Sequence, residues 1–169
     1  MWDFGEAEIL EPEAIGEPGQ RVFRLRVMSG RDTASLWLEK EQLAALTLAI
    51  RQLLDQMPDP PVDPEPLARA ASFPTEAKVD FKIGKLGIGY NERERMVLIF
   101  AYTQEDDEDA RPTFSCQVSR SQSQAFADCA EEVVSAGRPV CILCGLPINA
   151  DGHQCLRRNG HSGLPIASE

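Results

Sequence analysis

The sequence predicts an α+β fold: an antiparallel β-sheet built from two βββα halves, with two helices on one face and a small zinc-knuckle tail behind them. Three observations predict it. Short segments of alternating polarity precede a helical period, and the same order recurs further along the chain. A proline-rich stretch, residues 57–77, holds six of the twelve prolines and separates the two halves as an extended surface linker. A final Gly- and Pro-rich segment carries three of the five cysteines and both histidines. The expected division is a body of residues 1–137 and a tail of residues 138–169.

In the first half, Trp2–Leu10 reads as a strand. Residues 21–27 alternate cleanly, with Phe23, Leu25 and Val27 on one face and Arg24 and Arg26 on the other. Met28–Thr33 supplies a turn and Ala34–Leu38 a third strand, with Trp37 out of phase and assigned to the opposite sheet face. A helix follows, with Leu43, Leu46, Ile50, Leu53 and Met57 at spacings of three and four.

The second half repeats the order. Val79–Tyr90 is a strand whose apolar phase changes between Phe81/Ile83 and Leu86/Ile88/Tyr90, which predicts a bulge near Gly84–Lys85. Met96–Tyr102 is apolar on both faces and reads as a central strand. Thr113–Ser119 completes the set. The closing helix is capped by Ser119 with Gln122, or by Ser121 with Gln124, buries Phe126, Cys129, Ala130 and Val133, and stops at Gly137. Identity between the halves is negligible, so the repeat is one of architecture.

Composition narrows the function classes. A net charge of −10 argues against a general binder of nucleic-acid backbones. No apolar run approaches the roughly 18 residues of a membrane span, and the acidic N-terminus lacks the features of a signal peptide. Five cysteines without disulfide-like spacing point to a reducing, cytoplasmic setting.

The tail reads Cys-Ile-Leu-Cys-Gly from Cys141 to Gly145, the pattern of a zinc knuckle. Two cysteines three apart direct both sulfurs at one ion, and Gly145 permits the turn that frees amides to bond them. The turn pair Asp151–Gly152 folds back a second arm, His153 and Cys155. Together Cys141, Cys144, His153 and Cys155 make a tetrahedral Cys₃His set for Zn²⁺. His161 competes for the fourth place; His153 is preferred because the shorter arm orders fewer residues. Three thiolates blunt the Lewis acidity of the ion, so the zinc is read as structural.

Other candidates carry blander readings. The acidic run Glu105–Asp109 is a solvated loop tip. Gly84, Gly87 and Gly89 relieve crowding on a bulged strand. Cys116 and Cys129 are core residues. No Ser/His/Asp set and no histidine outside the tail offers a base, so the catalytic list is empty.

The tail "CILCGLPINADGHQCLRRNGH", preceded by two β-rich halves with "EKEQLAALTLAI", resembles a conserved bacterial family of unknown function, best represented in actinobacteria. Its members end in C-x-x-C-G-x-P…G-H-x-C-P-R-x-N-G; Leu156 stands here where that pattern has proline. The resemblance implies that Cys141, Cys144, His153 and Cys155 are the family's metal set, and implies a pathway shared with a kinase-like and a phosphatase-like protein. It implies no activity. The expected function is a non-enzymatic adaptor that binds a protein partner. The alternative is an enzyme or enzyme subunit acting with a kinase- or phosphatase-like partner. Nucleic-acid binding through Arg157 and Arg158 is the weakest reading.

Overall fold

A computed structural model describes residues 1–17, 19–57, 63–105 and 111–136. Seven strands and two helices follow one another as β1 (Trp2–Glu6), β2 (Ile9–Ile15), β3 (Val22–Ser29), β4 (Asp32–Leu38), α1 (Lys40–Asp55), β5 (Val79–Asn91), β6 (Met96–Thr103), β7 (Phe114–Ser119) and α2 (Arg120–Ser135). The strands form one sheet in the order β1-β7-β6-β5-β4-β3-β2.

The sheet is mixed, which corrects the antiparallel expectation. β2-β3-β4 and β5-β6-β7 are antiparallel meanders, but β4 pairs with β5 in parallel, and so does β1 with β7. The connection through α1 and residues 63–77 returns the chain so that β5 starts beside β4 and runs the same way. Alternation in a sequence reports which face a side chain takes; it carries no information on strand direction.

Trp2–Leu10 is also not one strand. It breaks at Ala7 and Glu8, whose amides point at different neighbours: Ala7 N donates to Gln117 O (2.8 Å) on β7 and Glu8 N to Met28 O (2.9 Å) on β3. Ser29 Oγ on β3 reaches back to the carbonyls of Phe4 (2.9 Å) and Glu6 (2.8 Å) on β1. The two end strands of the sheet are therefore consecutive in the chain, and the Ser29 side chain ties β1 to β3 across the bend.

β5 is bent in the same manner. Val79–Lys82 pair with β4, while Ile83–Asn91 pair with β6, with a register shift between Ile83 and Lys85. Gly84 sits at that shift. A Cβ there would lie 2.6 Å from the Gln104 Cα, so only glycine fits. The bulge brings Phe81, Ile83, Leu86 and Ile88 onto the same apolar core despite their change of phase.

Each meander ends in a helix whose apolar stripe enters that core. Leu43, Leu46 and Ile50 of α1 and Phe126, Ala127 and Ala130 of α2 join Leu25, Leu36, Ile99, Phe114 and Val118 in one cluster. α1 is capped by a Glu39–Gln42 capping box, and α2 by Ser119, whose hydroxyl accepts from Gln122 N (3.2 Å). Gly30, with a φ of 59°, turns the β3–β4 hairpin between Ser29 and Asp32.

Candidate functional site

The outward face of β2–β4 is charged, because every second residue of these strands must face away from the core. Glu11 and Glu13 of β2 stand opposite Arg26 and Arg24 of β3. Arg24 pairs with Glu13, and Arg26 with Glu11 (3.0 Å). Arg24 also lies over Trp37, 5.2 Å from its ring centre, and Trp37 Nε1 donates to Asp80 Oδ1 (3.0 Å). Trp37 thus packs on the opposite sheet face, as its phase indicates.

Residues 63–77 strap this region. Phe73 is covered by the guanidinium groups of Arg24 (5.3 Å) and Arg26 (5.7 Å). Ala70 N donates to Glu11 Oε1 (3.2 Å), and Arg69 reaches Glu11 (3.5 Å) and the Cys129 thiol (3.3 Å). Ala68 N donates to Gln122 Oε1 (2.8 Å), while Gln122 Nε2 donates to Pro66 O (3.0 Å). Leu67 packs on the core. The hydrogen bond to Cys129 pushes Arg69 above the usual arginine value. Glu11, only 1% exposed, anchors two chain segments at once. Charge alternation on β2 and β3 foreshadows the strand pairs. Nothing local foreshadows the strap, since its partners lie more than forty positions away.

Among the described residues, grooves flank the helices. One, of about 370 Å³, runs between α1 and α2 and is lined by Ala44, Thr47, Leu48, Arg51, Glu131 and Val134. Arg51 bridges Asp128 (3.0 Å) and Glu131 (2.9 Å) there. The hydrogen bond to Glu131 outweighs partial burial and holds Arg51 above its usual value. Another, of about 340 Å³, lies between α1 and β5 and is mostly apolar: Ala45, Leu46, Ala49, Leu86 and Ile88, with Gln42 at one end.

The sequence-predicted metal ligands Cys141, Cys144, His153 and Cys155, with the competitor His161, lie outside the described residues. So do residues 106–109 of the acidic run and Gly137, the expected helix stop. Among the described residues no group of three or more His, Cys, Asp or Glu side chains is placed to hold a metal. Cys116 and Cys129 are buried, as expected of core residues. Burial pushes the Cys116 thiol up to about 12, which keeps it protonated and unreactive. Among the described residues no helix is long and apolar enough to cross a membrane.

With the geometry in hand, comparison with known families is decisive on one point. The model of a family described as a protein of unknown function, DUF3090, matches residues 2–155. The chain belongs to the DUF3090 family. The matched region takes in the whole sheet, both helices and the strap. It ends on Cys155, so it includes Cys141, Cys144 and His153 and leaves out His161. No curated protein and no solved structure matches the chain.

Proposed function

We propose that the chain is a cytoplasmic, non-enzymatic adaptor: a body, residues 1–137, that presents an acidic surface to a protein partner, and a tail, residues 138–169, closed by one structural zinc. Cys141, Cys144, His153 and Cys155 hold the ion. The observation that carries this reading is their spacing, two cysteines three apart and an H-x-C arm within fifteen residues. The end of the family match on Cys155 supports His153 over His161 as the fourth ligand.

Charge supports the partition of roles. The tail carries Arg138, Arg157 and Arg158 against Asp151 and Glu169, so the acidic excess resides in the body. An acidic surface favours a basic protein partner and repels nucleic acid. The family resemblance makes a kinase-like protein the first partner to test.

Metal content by mass spectrometry is expected to give about one zinc per chain, as a four-ligand site requires. Cys141→Ser and Cys144→Ser each release it, while the melting transition of the body stays in place. His153→Ala loses zinc and His161→Ala keeps it; the reverse pattern overturns the ligand choice. For the adaptor role, gentle co-purification from native lysate is expected to recover a stoichiometric partner, and an empty result counts against it.

A further inference from the structure

The two halves occupy equivalent places in the sheet. α1 and α2 are both 16 residues long and start 80 positions apart. β4 pairs in parallel with the first part of β5, and β7 in parallel with β1. Asp80 stands opposite Ser35 of β4 and Asp3 opposite Ser115 of β7, at matching places in the two pairs. The bend at Ala7–Glu8 between β1 and β2 corresponds to the bulge at Gly84 within β5. On this correspondence Gln42, Ala45, Leu46 and Ala49 of α1 stand where Gln122, Ala125, Phe126 and Cys129 stand in α2. Gly87 of β5 stands where Glu11 stands in β2, since each lies one residue past the leucine (Leu86, Leu10) that faces the core strand.

The groove between α2 and β2 is filled. Its occupant is Pro66–Ala70, the segment that follows α1, held by Gln122, Cys129 and Glu11. The equivalent groove between α1 and β5 is the apolar one of about 340 Å³. The segment that follows α2 is the tail. Pro66-Leu67-Ala68-Arg69 comes 11 positions after the end of α1, and Pro147-Ile148-Asn149-Ala150 comes 12 positions after the end of α2. The charged anchor pair changes on both sides together: Arg69 with Glu11 in the filled groove, Ala150 with Gly87 in the other.

We infer that Pro147–Ala150 of the tail docks in the groove between α1 and β5, as Pro66–Ala70 docks between α2 and β2. Ile148 takes the place of Leu67 on the core. Gln42 now bonds the Ile83 and Gly84 carbonyls (both 3.2 Å), and it turns to the docked backbone as Gln122 does. The docking needs no metal, but where the zinc reading holds, it brackets the docked segment between Cys141/Cys144 and His153/Cys155 and seats the zinc-bound tail beside β5.

The test is photo-crosslinking in the purified full chain, with benzoylphenylalanine at the exposed Ala45 and, separately, at Leu48, which lines the other groove. Position 45 is expected to crosslink to the peptide spanning 145–150 of its own chain, shown by mixing isotope-labelled and unlabelled protein. Ile148→Asp is expected to abolish that product. No crosslink to the tail, a stronger one from position 48, or one formed only between chains overturns the inference; the last identifies a second copy as the occupant. Zinc measured in the same samples separates the two readings. A crosslink without zinc removes the metal and keeps the docking, and zinc without a crosslink does the reverse.

Discussion

Gly84 shows how much one missing side chain decides. Its Cβ would meet the Gln104 backbone at 2.6 Å, and backbone cannot step aside as a side-chain tip does. Gly87, three residues on, has its nearest neighbour at 3.6 Å, the Phe100 Cβ, which is ordinary contact. Gly84→Ala is therefore expected to destabilise the protein by about 1–3 kcal/mol, the cost of overpacking. Gly87→Ala should stay near neutral in the same urea titration. Equal effects at the two positions would remove the steric account of the bulge. The phase change in Val79–Tyr90 made this bulge legible in the sequence, because a bulge is the local way to keep two apolar phases on one face.

The strap shows what an element owes to distant partners. Residues 63–77 form no helix or strand, yet they are tied to β2, β3 and α2 through Glu11, Arg24, Arg26 and Gln122. Glu11→Ala strips the buried Arg26 contact and leaves Ala70 N without its acceptor. Removing one partner of a buried pair should cost about 3 kcal/mol. Limited proteolysis should then cut faster within 63–77. Arg51→Ala is the contrast: its partners Asp128 and Glu131 are more than half exposed, and such pairs are worth about 0–1 kcal/mol. If the two substitutions cost the same, burial is not what gives Glu11 its weight. Proline content marked this stretch as extended, but composition alone suggests a linker and cannot reveal anchoring.

At the scale of the molecule, β1 protects one side of the sheet. Trp2 N donates to Thr113 O (2.8 Å), and β1 covers the side of β7 that does not face β6. Deleting residues 1–6 would leave that side of β7 unpaired, which is a template for strand addition from another chain. Light scattering is expected to show the shortened protein associating more than the full chain does. An unchanged size would mean that β1 does not protect β7.

The sequence by itself determined the class of fold, the two helices and their apolar stripes, a serine cap for the second of them, the bulge in β5, the central place of β6 and the core status of Cys116 and Cys129. All of these follow from local period and residue type, which the chain carries wherever it goes. It also supplied the spacing behind the proposed zinc ligands. Only the tertiary structure decided strand direction, the break between β1 and β2, the strand order of the sheet and the strap. Each depends on which segments meet across long stretches of chain, and such meetings are set by the total burial of the assembled core rather than by any one stretch.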